Sequence, residues 1–173
     1  MERIGLITIK GKPLTLIGVP VNVGDKAPDF TVIDLDLKEV KLSDFKGKIK
    51  IISVTPSLDT PVCDLQAKKF NEKAVDLPEE IVVINISMDL PFAISRFCST
   101  AGIDKIKVYS DHKYASFGLS YGLLIKELRL LTRAIIVVDS SDIIRYIEIV
   151  SEITNHPNYE KAIEVAINLY KGK

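Results

Sequence analysis

Cys63 and Cys98 are the only two thiols in the chain, and the first stands in a context that could make it react. The stretch Pro56-Ser57-Leu58-Asp59-Thr60-Pro61-Val62-Cys63 follows the apolar run from Ile49 to Val54 and precedes an amphipathic segment beginning at Asp64. That order predicts a strand, a tight loop and the start of a helix. Asp59 or Thr60 can accept a hydrogen bond from free N–H groups of the first turn, and Pro61 suits the first helical position because it has no N–H to lose. Cys63 then falls in the opening turn, where unpaired N–H groups and the positive end of the macrodipole favour a thiolate. The bland alternative is a small inert core residue, since Val62, Leu65 and Phe70 give this helix an apolar side.

A thiol that cleaves an O–O bond needs more than a thiolate. It needs a cation or N–H donors for the negative charge on the departing oxygen, and hydrogen bonds that hold the bond in line. Thr60, one helical turn before Cys63, can aim its hydroxyl at such a site; Pro56 can shield the sulfur from water; Arg133 can supply a permanent cation. Each also has an ordinary reading, as an N-cap, a loop residue and a strand-end or exposed residue. Arg133 is the most informative, because Leu130-Leu131-Thr132-Arg133-Ala134-Ile135-Ile136 leaves a charge little place to hide without an anionic partner.

The elements that must position these residues follow from the hydrophobic pattern. Two β-rich runs, Ile4 to Ile9 and Leu14 to Val19, flank Lys10-Gly11-Lys12-Pro13 and predict a hairpin. Phe30 to Leu35 and Val40 to Leu42 are short strand candidates, and Ser43 to Gly47 is a turn or a single helical turn. Ile49 to Val54 and Ile81 to Ser87 are apolar enough to be central strands covered on both faces, as in parallel sheets. The Cys63 helix is expected to run to about Ala74. Pro91 opens a second helix on which Ile94, Phe97, Cys98 and Ala101 keep helical spacing, with Gly102 as its stop, so Cys98 faces inward. Ile106 to Tyr109 is a further short strand, and Asp111 to Leu119 a partly helical connection. Leu130 to Asp139 predicts one strand carrying Arg133, paired with Ile143 to Val150 across Ser140-Ser141-Asp142, and Tyr159 to Tyr170 a closing helix. A β-α-β-α-β order, then an antiparallel pair and a last helix, predicts an α/β thioredoxin-like fold. Its central mixed sheet would be flanked by helices, within one domain over residues 1–173 that carries an N-terminal β-hairpin extension over residues 1–20.

Composition narrows the function classes. The chain has 173 residues, 47% hydrophobic and 27% charged, which suits one sizeable core. Lys plus Arg and Asp plus Glu are both 23, so no global field draws it to nucleic acid or an anionic membrane. The N-terminus lacks the charged, apolar and small-residue order of a secretory leader, and no run suggests a membrane span; a soluble, cytoplasmic protein is expected. In a reducing cytosol two cysteines are buried thiols, metal ligands or a redox pair. His112 and His156, the only histidines, form no zinc-knuckle spacing with Cys63 and Cys98, so no metal is expected; His112 reads as a turn or packing residue, and His156 as a helix-start residue before Pro157. The turn from Gly118 to Lys126 has no phosphate-binding G-x-x-x-x-G-K-[ST] pattern.

Pro56-x-x-x-Thr60-x-x-Cys63 with a distant Arg133 resembles the active-site pattern of the peroxiredoxins, and the longer match resembles their bacterial thiol peroxidase subfamily. The supporting stretches include Val23 to Phe30, Ser57 to Gln66, Arg96-Phe97-Cys98, Ser110-Asp111-His112, Ala115 to Gly118 and Tyr121 to Leu131, so that the similarity spans nearly the whole chain. The resemblance implies a peroxidatic Cys63 that becomes a sulfenic acid, with Thr60 and Arg133 orienting and stabilising the transition state and Pro56 packed over the thiolate. It implies that Cys98 resolves the sulfenic acid as an intramolecular disulfide. It further implies hydroperoxide substrates, reduction by thioredoxin or a similar dithiol, no cofactor, and a homodimer. A noncatalytic thioredoxin-like binding or holdase module is the competing expectation. Joining two cysteines on separate helices requires their Cα atoms within about 7 Å, so some helix must unwind locally.

Overall fold

The computed structural model describes residues 1–172. In chain order its strands and helices are β1 (Glu2–Ile9), β2 (Lys12–Ile17), β3 (Thr31–Ile33), β4 (Glu39–Lys41), β5 (Ile49–Val54), α1 (Pro61–Ala74), β6 (Ile81–Ser87), α2 (Pro91–Ala101), β7 (Lys107–Ser110), α3 (Ser116–Tyr121), β8 (Leu124–Ile125), β9 (Leu130–Leu131), β10 (Ala134–Val138), β11 (Ile144–Ile149) and α4 (Tyr159–Lys171). A 3-10 turn, Leu42–Phe45, follows β4.

Seven strands form the central mixed sheet in the order β11-β10-β5-β6-β7-β3-β4. β5, β6 and β7 run parallel, while β10 joins β5 antiparallel and β11 joins β10 antiparallel. The alternation along these strands separates two cores. Ile49, Ile51, Ile81, Val83, Ile135 and Val137 pack with Ala67 and Phe70 of α1, Ile94 and Cys98 of α2, and Ala162, Ile163 and Ala166 of α4. Ile52, Val54, Ile84, Ile86, Ala134, Ile136 and Val138 face the other way, toward Phe30, Phe117 and Tyr121. Every residue of β5 is buried, as the continuous apolar run predicts for a strand covered on both faces.

The expected N-terminal hairpin is formed by β1 and β2, and it is joined to the body: β2 pairs with β8, and β8 with β9, giving a second sheet in the order β1-β2-β8-β9. One expectation needs correction: the run from Leu130 to Asp139 is not one strand, since β9 belongs to the small sheet and β10 to the central one. The chain crosses between sheets at Thr132 and Arg133, where the Thr132 N–H donates to the Leu123 carbonyl and the Arg133 carbonyl accepts from Val150. An unbroken apolar run carries no signal of a change of sheet, because both sheets bury it.

Candidate active site

β5 ends at Val54, and six residues of loop lead to Pro61, the first residue of α1. Its buried residues are Cys63, Gln66, Ala67 and Phe70, the spacing of one helix face. Cys63 is fully buried, whereas Thr60 and Pro61 one turn earlier are exposed. Pro56 is buried beside the end of β5.

Thr60 occupies the N-cap position, but no side chain caps α1. Its hydroxyl instead donates to the Ser57 carbonyl at 3.0 Å, and the Asp59 N–H donates to the Ser57 hydroxyl at 3.2 Å. The expected acceptor role of Asp59 or Thr60 is therefore corrected: the turn draws both residues back onto Ser57. The N–H groups of the opening turn keep their positive end free of a side-chain oxygen.

Arg133 is also buried, 3% exposed, and lies one residue before β10 with the parity of Ile135 and Val137, which face α1. Its Nε–H donates to the Ile153 carbonyl at 2.8 Å and its Nη1–H to Gln66 Oε1 at 2.9 Å. Among the described residues no carboxylate forms an ion pair with Arg133. Gln66 in turn donates through Nε2 to Ser53 Oγ at 2.7 Å, and Asn85 Nδ2 donates to the same oxygen at 3.3 Å. A buried polar chain thus runs from β10 through α1 to β5 and β6. Its members satisfy one another, the condition on which such networks are tolerated in a core.

Tyr159, the first residue of α4, closes this side of the site. Burial pushes its hydroxyl up, the Arg133 cation pulls it down, and Cys63 adds to the rise. The Tyr159 ring meets Phe70 edge-on at 5.5 Å, and its hydroxyl lies 2.9 Å from Nδ1 of the exposed His156. His112, also exposed, sits in the turn between β7 and α3.

Cys98 lies on the inward face of α2, packed in the same core as Leu58 and Phe70. Burial pushes its thiol up, so it is held protonated at neutral pH. Both cysteines are free thiols. Between the loop before α1 and α2 lies a cleft of about 360 Å³ lined by residues that include Ser57, Leu58, Asp89, Arg96 and Phe97. Asp89 ties its two walls together: one carboxylate oxygen accepts from the Ser57 hydroxyl and the other from the Leu58 N–H, each at 2.7 Å.

The structure thus brings Pro56, Thr60, Cys63 and Arg133 to one end of the central sheet and sets Cys98 on the neighbouring helix. Gln66, Asp89 and Tyr159 complete the surroundings, and the sequence did not single them out. Gln66 had a usable signal, a polar residue three positions after Cys63 on a buried face; the other two had none that is local.

The geometry has counterparts in known proteins. A family model described as Redoxin matches residues 22–163. The thiol peroxidase of Halalkalibacterium halodurans is 56% identical over 160 residues, 92% of this chain and 96% of the relative. The thiol peroxidase of Bacillus subtilis is 55% identical over 165 residues, 95% of this chain and 98% of the relative. A crystal structure of a peroxiredoxin-like protein from Aquifex aeolicus superposes with a TM-score of 0.89 at 38% identity, covering 94% of this chain and 96% of that one.

Proposed function

The chain belongs to the Redoxin family and is a peroxiredoxin-type enzyme, and from this premise we propose that Cys63 is its peroxidatic thiol and Cys98 its resolving thiol. The observation that carries the reading is the buried guanidinium of Arg133, tied through Gln66 to the buried face of α1 that carries Cys63 one turn away. A buried cation without a carboxylate is costly, and a thiolate beside it offsets that cost.

In this mechanism the Cys63 thiolate attacks the nearer oxygen of a hydroperoxide. A sulfur–oxygen bond forms as the O–O bond breaks, the thiol sulfur is oxidised to sulfenic acid, and the departing oxygen leaves with a proton as water or an alcohol. Arg133 and the α1 N–H groups stabilise the developing negative charge, the Thr60 hydroxyl aligns the peroxide, and Pro56 keeps water from the sulfur. The Cys98 thiol then attacks the sulfenic acid, losing its proton and releasing water as the Cys63-Cys98 disulfide forms. A dithiol such as thioredoxin reduces that disulfide by exchange and is itself oxidised.

A Cys63-Cys98 disulfide needs the two Cα atoms within about 7 Å, and in this reading the first turn of α1, and α2 around Cys98, unwind to reach that separation. The protein acts as a homodimer in the cytoplasm in this reading. No described helix is long and apolar enough to cross a membrane.

The test is to mix reduced protein with one equivalent of hydrogen peroxide. The expected result is loss of both titratable thiols with one disulfide gained by mass. A Cys98→Ser variant should complete one turnover and stop at a sulfenic acid trapped by dimedone. A Cys63→Ser variant that consumed peroxide with thioredoxin at the parent rate would overturn the assignment.

A further inference from the structure

Ile153, in the connection between β11 and α4, belongs to two neighbourhoods at once. Its side chain is buried with Ile7 of β1, Leu14 and Leu16 of β2 and Ile125 of β8, the small core that the N-terminal hairpin closes. Its carbonyl accepts the Nε–H of Arg133 at 2.8 Å. The hairpin grips this connection along the backbone: the Thr8 N–H donates to the Ser151 carbonyl at 2.7 Å, and the Ile153 N–H donates to the Thr8 carbonyl at 3.0 Å. Between those two bonds stands Glu152, opposite Thr8 in a parallel bridge. One of its carboxylate oxygens accepts from the Thr8 hydroxyl at 3.0 Å and the Gly11 N–H at 2.9 Å. The other accepts from the Thr154 hydroxyl at 2.8 Å and the Thr154 N–H at 3.2 Å. Four donors on two oxygens call for a carboxylate, since an amide offers a single oxygen. The Gly11 N–H and the Thr154 donors hold that carboxyl down at about 2, so it is charged at every pH at which a thiol ionises.

We infer that the N-terminal hairpin is a working part of the peroxidase site, with Glu152 and Ile153 as positioning residues: the hairpin fixes the Ile153 carbonyl, and that carbonyl orients the Arg133 guanidinium. The guanidinium is a rigid planar fork, so an acceptor on Nε sets the direction in which its remaining N–H groups point. A carbonyl in a connection between two elements holds such a direction only if the connection is itself held. Here the hairpin supplies the hold three times over, through the buried Ile153 side chain, the two backbone hydrogen bonds of Thr8 and the Glu152 clasp. Loosening the hairpin leaves the Arg133 charge in the protein and removes its aim, and misplacement of a stabilising group by a fraction of its own length is costly in a transition state. The hairpin thereby reaches the chemistry without contributing an atom to it.

The inference rests on Arg133 acting in the peroxide step, and its test separates the two claims. Glu152→Gln opens the clasp at the surface, and Ile7→Ala hollows the hairpin core without touching Arg133. Two readouts are taken on the reduced full-length proteins. Hydrogen exchange of the Arg133 Nε–H, followed in ¹H–¹⁵N spectra and assigned with Arg133→Lys, reads the hold on the guanidinium without peroxide. The second-order rate constant for hydrogen peroxide reads the reaction. In both variants the Nε–H should exchange about tenfold faster and the rate constant should fall about tenfold. Val32→Ala, which hollows the opposite core from β3, should lower the unfolding midpoint and leave both readouts at parent values. A parent-like Nε–H exchange in Glu152→Gln, which carries the test alone if Ile7→Ala does not fold, would overturn the inference. So would an equal loss in Val32→Ala, which would reduce the hairpin's part to general stability. A freed Nε–H with a parent-like rate constant would instead overturn the role of Arg133 in the functional assignment and leave its tether to the hairpin standing.

Discussion

The Asp89 carboxylate accepts a 2.7 Å hydrogen bond from the Leu58 backbone N–H, and so one side chain joins the loop before the Cys63 helix to the turn that opens the Cys98 helix. The same carboxylate takes the Ser57 and Ser87 hydroxyls, while the Asp89 carbonyl accepts from Ser110. The two segments that must move for a disulfide to form thus share an anchor at their bases.

Removing that anchor should loosen both segments together. Asp89→Ala is expected to lower stability by about 1–3 kcal/mol, the usual cost of losing hydrogen bonds to a charged group. Amide exchange should quicken over residues 57–60 and in the first turn of α2. Hydrogen-exchange mass spectrometry of the reduced protein checks this; unchanged protection at Leu58 would count against the clamp.

Cys98 should be the slower thiol. Burial raises it above its ordinary value of 9.0, so at neutral pH it is protonated and a poor nucleophile. A raised value in the folded state means that the thiol's contribution to stability is fully present below its unfolded value and is lost as pH rises through the folded one. Reduced protein should therefore lose stability above about pH 9 more steeply than Cys98→Ala, measured as urea midpoints across pH.

Asp111 supplies a second pH signature, away from the thiols. Its carboxylate is 1% exposed, accepts the Phe117 and Gly118 N–H groups of α3, and is pushed up to about 6 by burial. Its stabilising contribution is present below the ordinary value near 4 and lost as pH rises through about 6. Relative to the parent, Asp111→Asn should gain on the order of 3 kcal/mol between pH 4 and pH 7, offset by a constant loss from the weaker acceptor. Chemical denaturation at both pH values reads the difference; a parallel pair of profiles would refute it.

Gly102 and Gly122 form a controlled pair. Both cap helices in the left-handed region, at φ +70 and +66. A Cβ on Gly102 meets nothing within 4 Å, whereas on Gly122 it would lie 2.9 Å from the backbone of Pro20. Gly102→Ala should cost only the left-handed strain of about 1 kcal/mol. Gly122→Ala adds a backbone clash that cannot relax by rotamer change, and should cost about 2–4 kcal/mol in thermal unfolding.

The amino-acid sequence by itself determined what depends on local periodicity and termini. The two-sided apolar runs of β5 and β6, Pro61 and Pro91 at helix starts, Gly102 at a helix end and the inward placement of Cys98 all follow from residues within a turn or two of one another. Tertiary structure alone decided the rest. The Gln66 amide that holds Arg133 lies 67 residues away; the anchor of Leu58 lies 31 residues away; the hairpin finds its sheet through β8; and Leu130 to Asp139 divides between two sheets. Such pairings leave no trace in local pattern, because a buried polar group is satisfied equally well by any donor or acceptor the fold brings within reach. Cys63 could be nominated from its own helix, but the charge beside it is set by Gln66 and Arg133, which only the packing of α1 against β10 brings together.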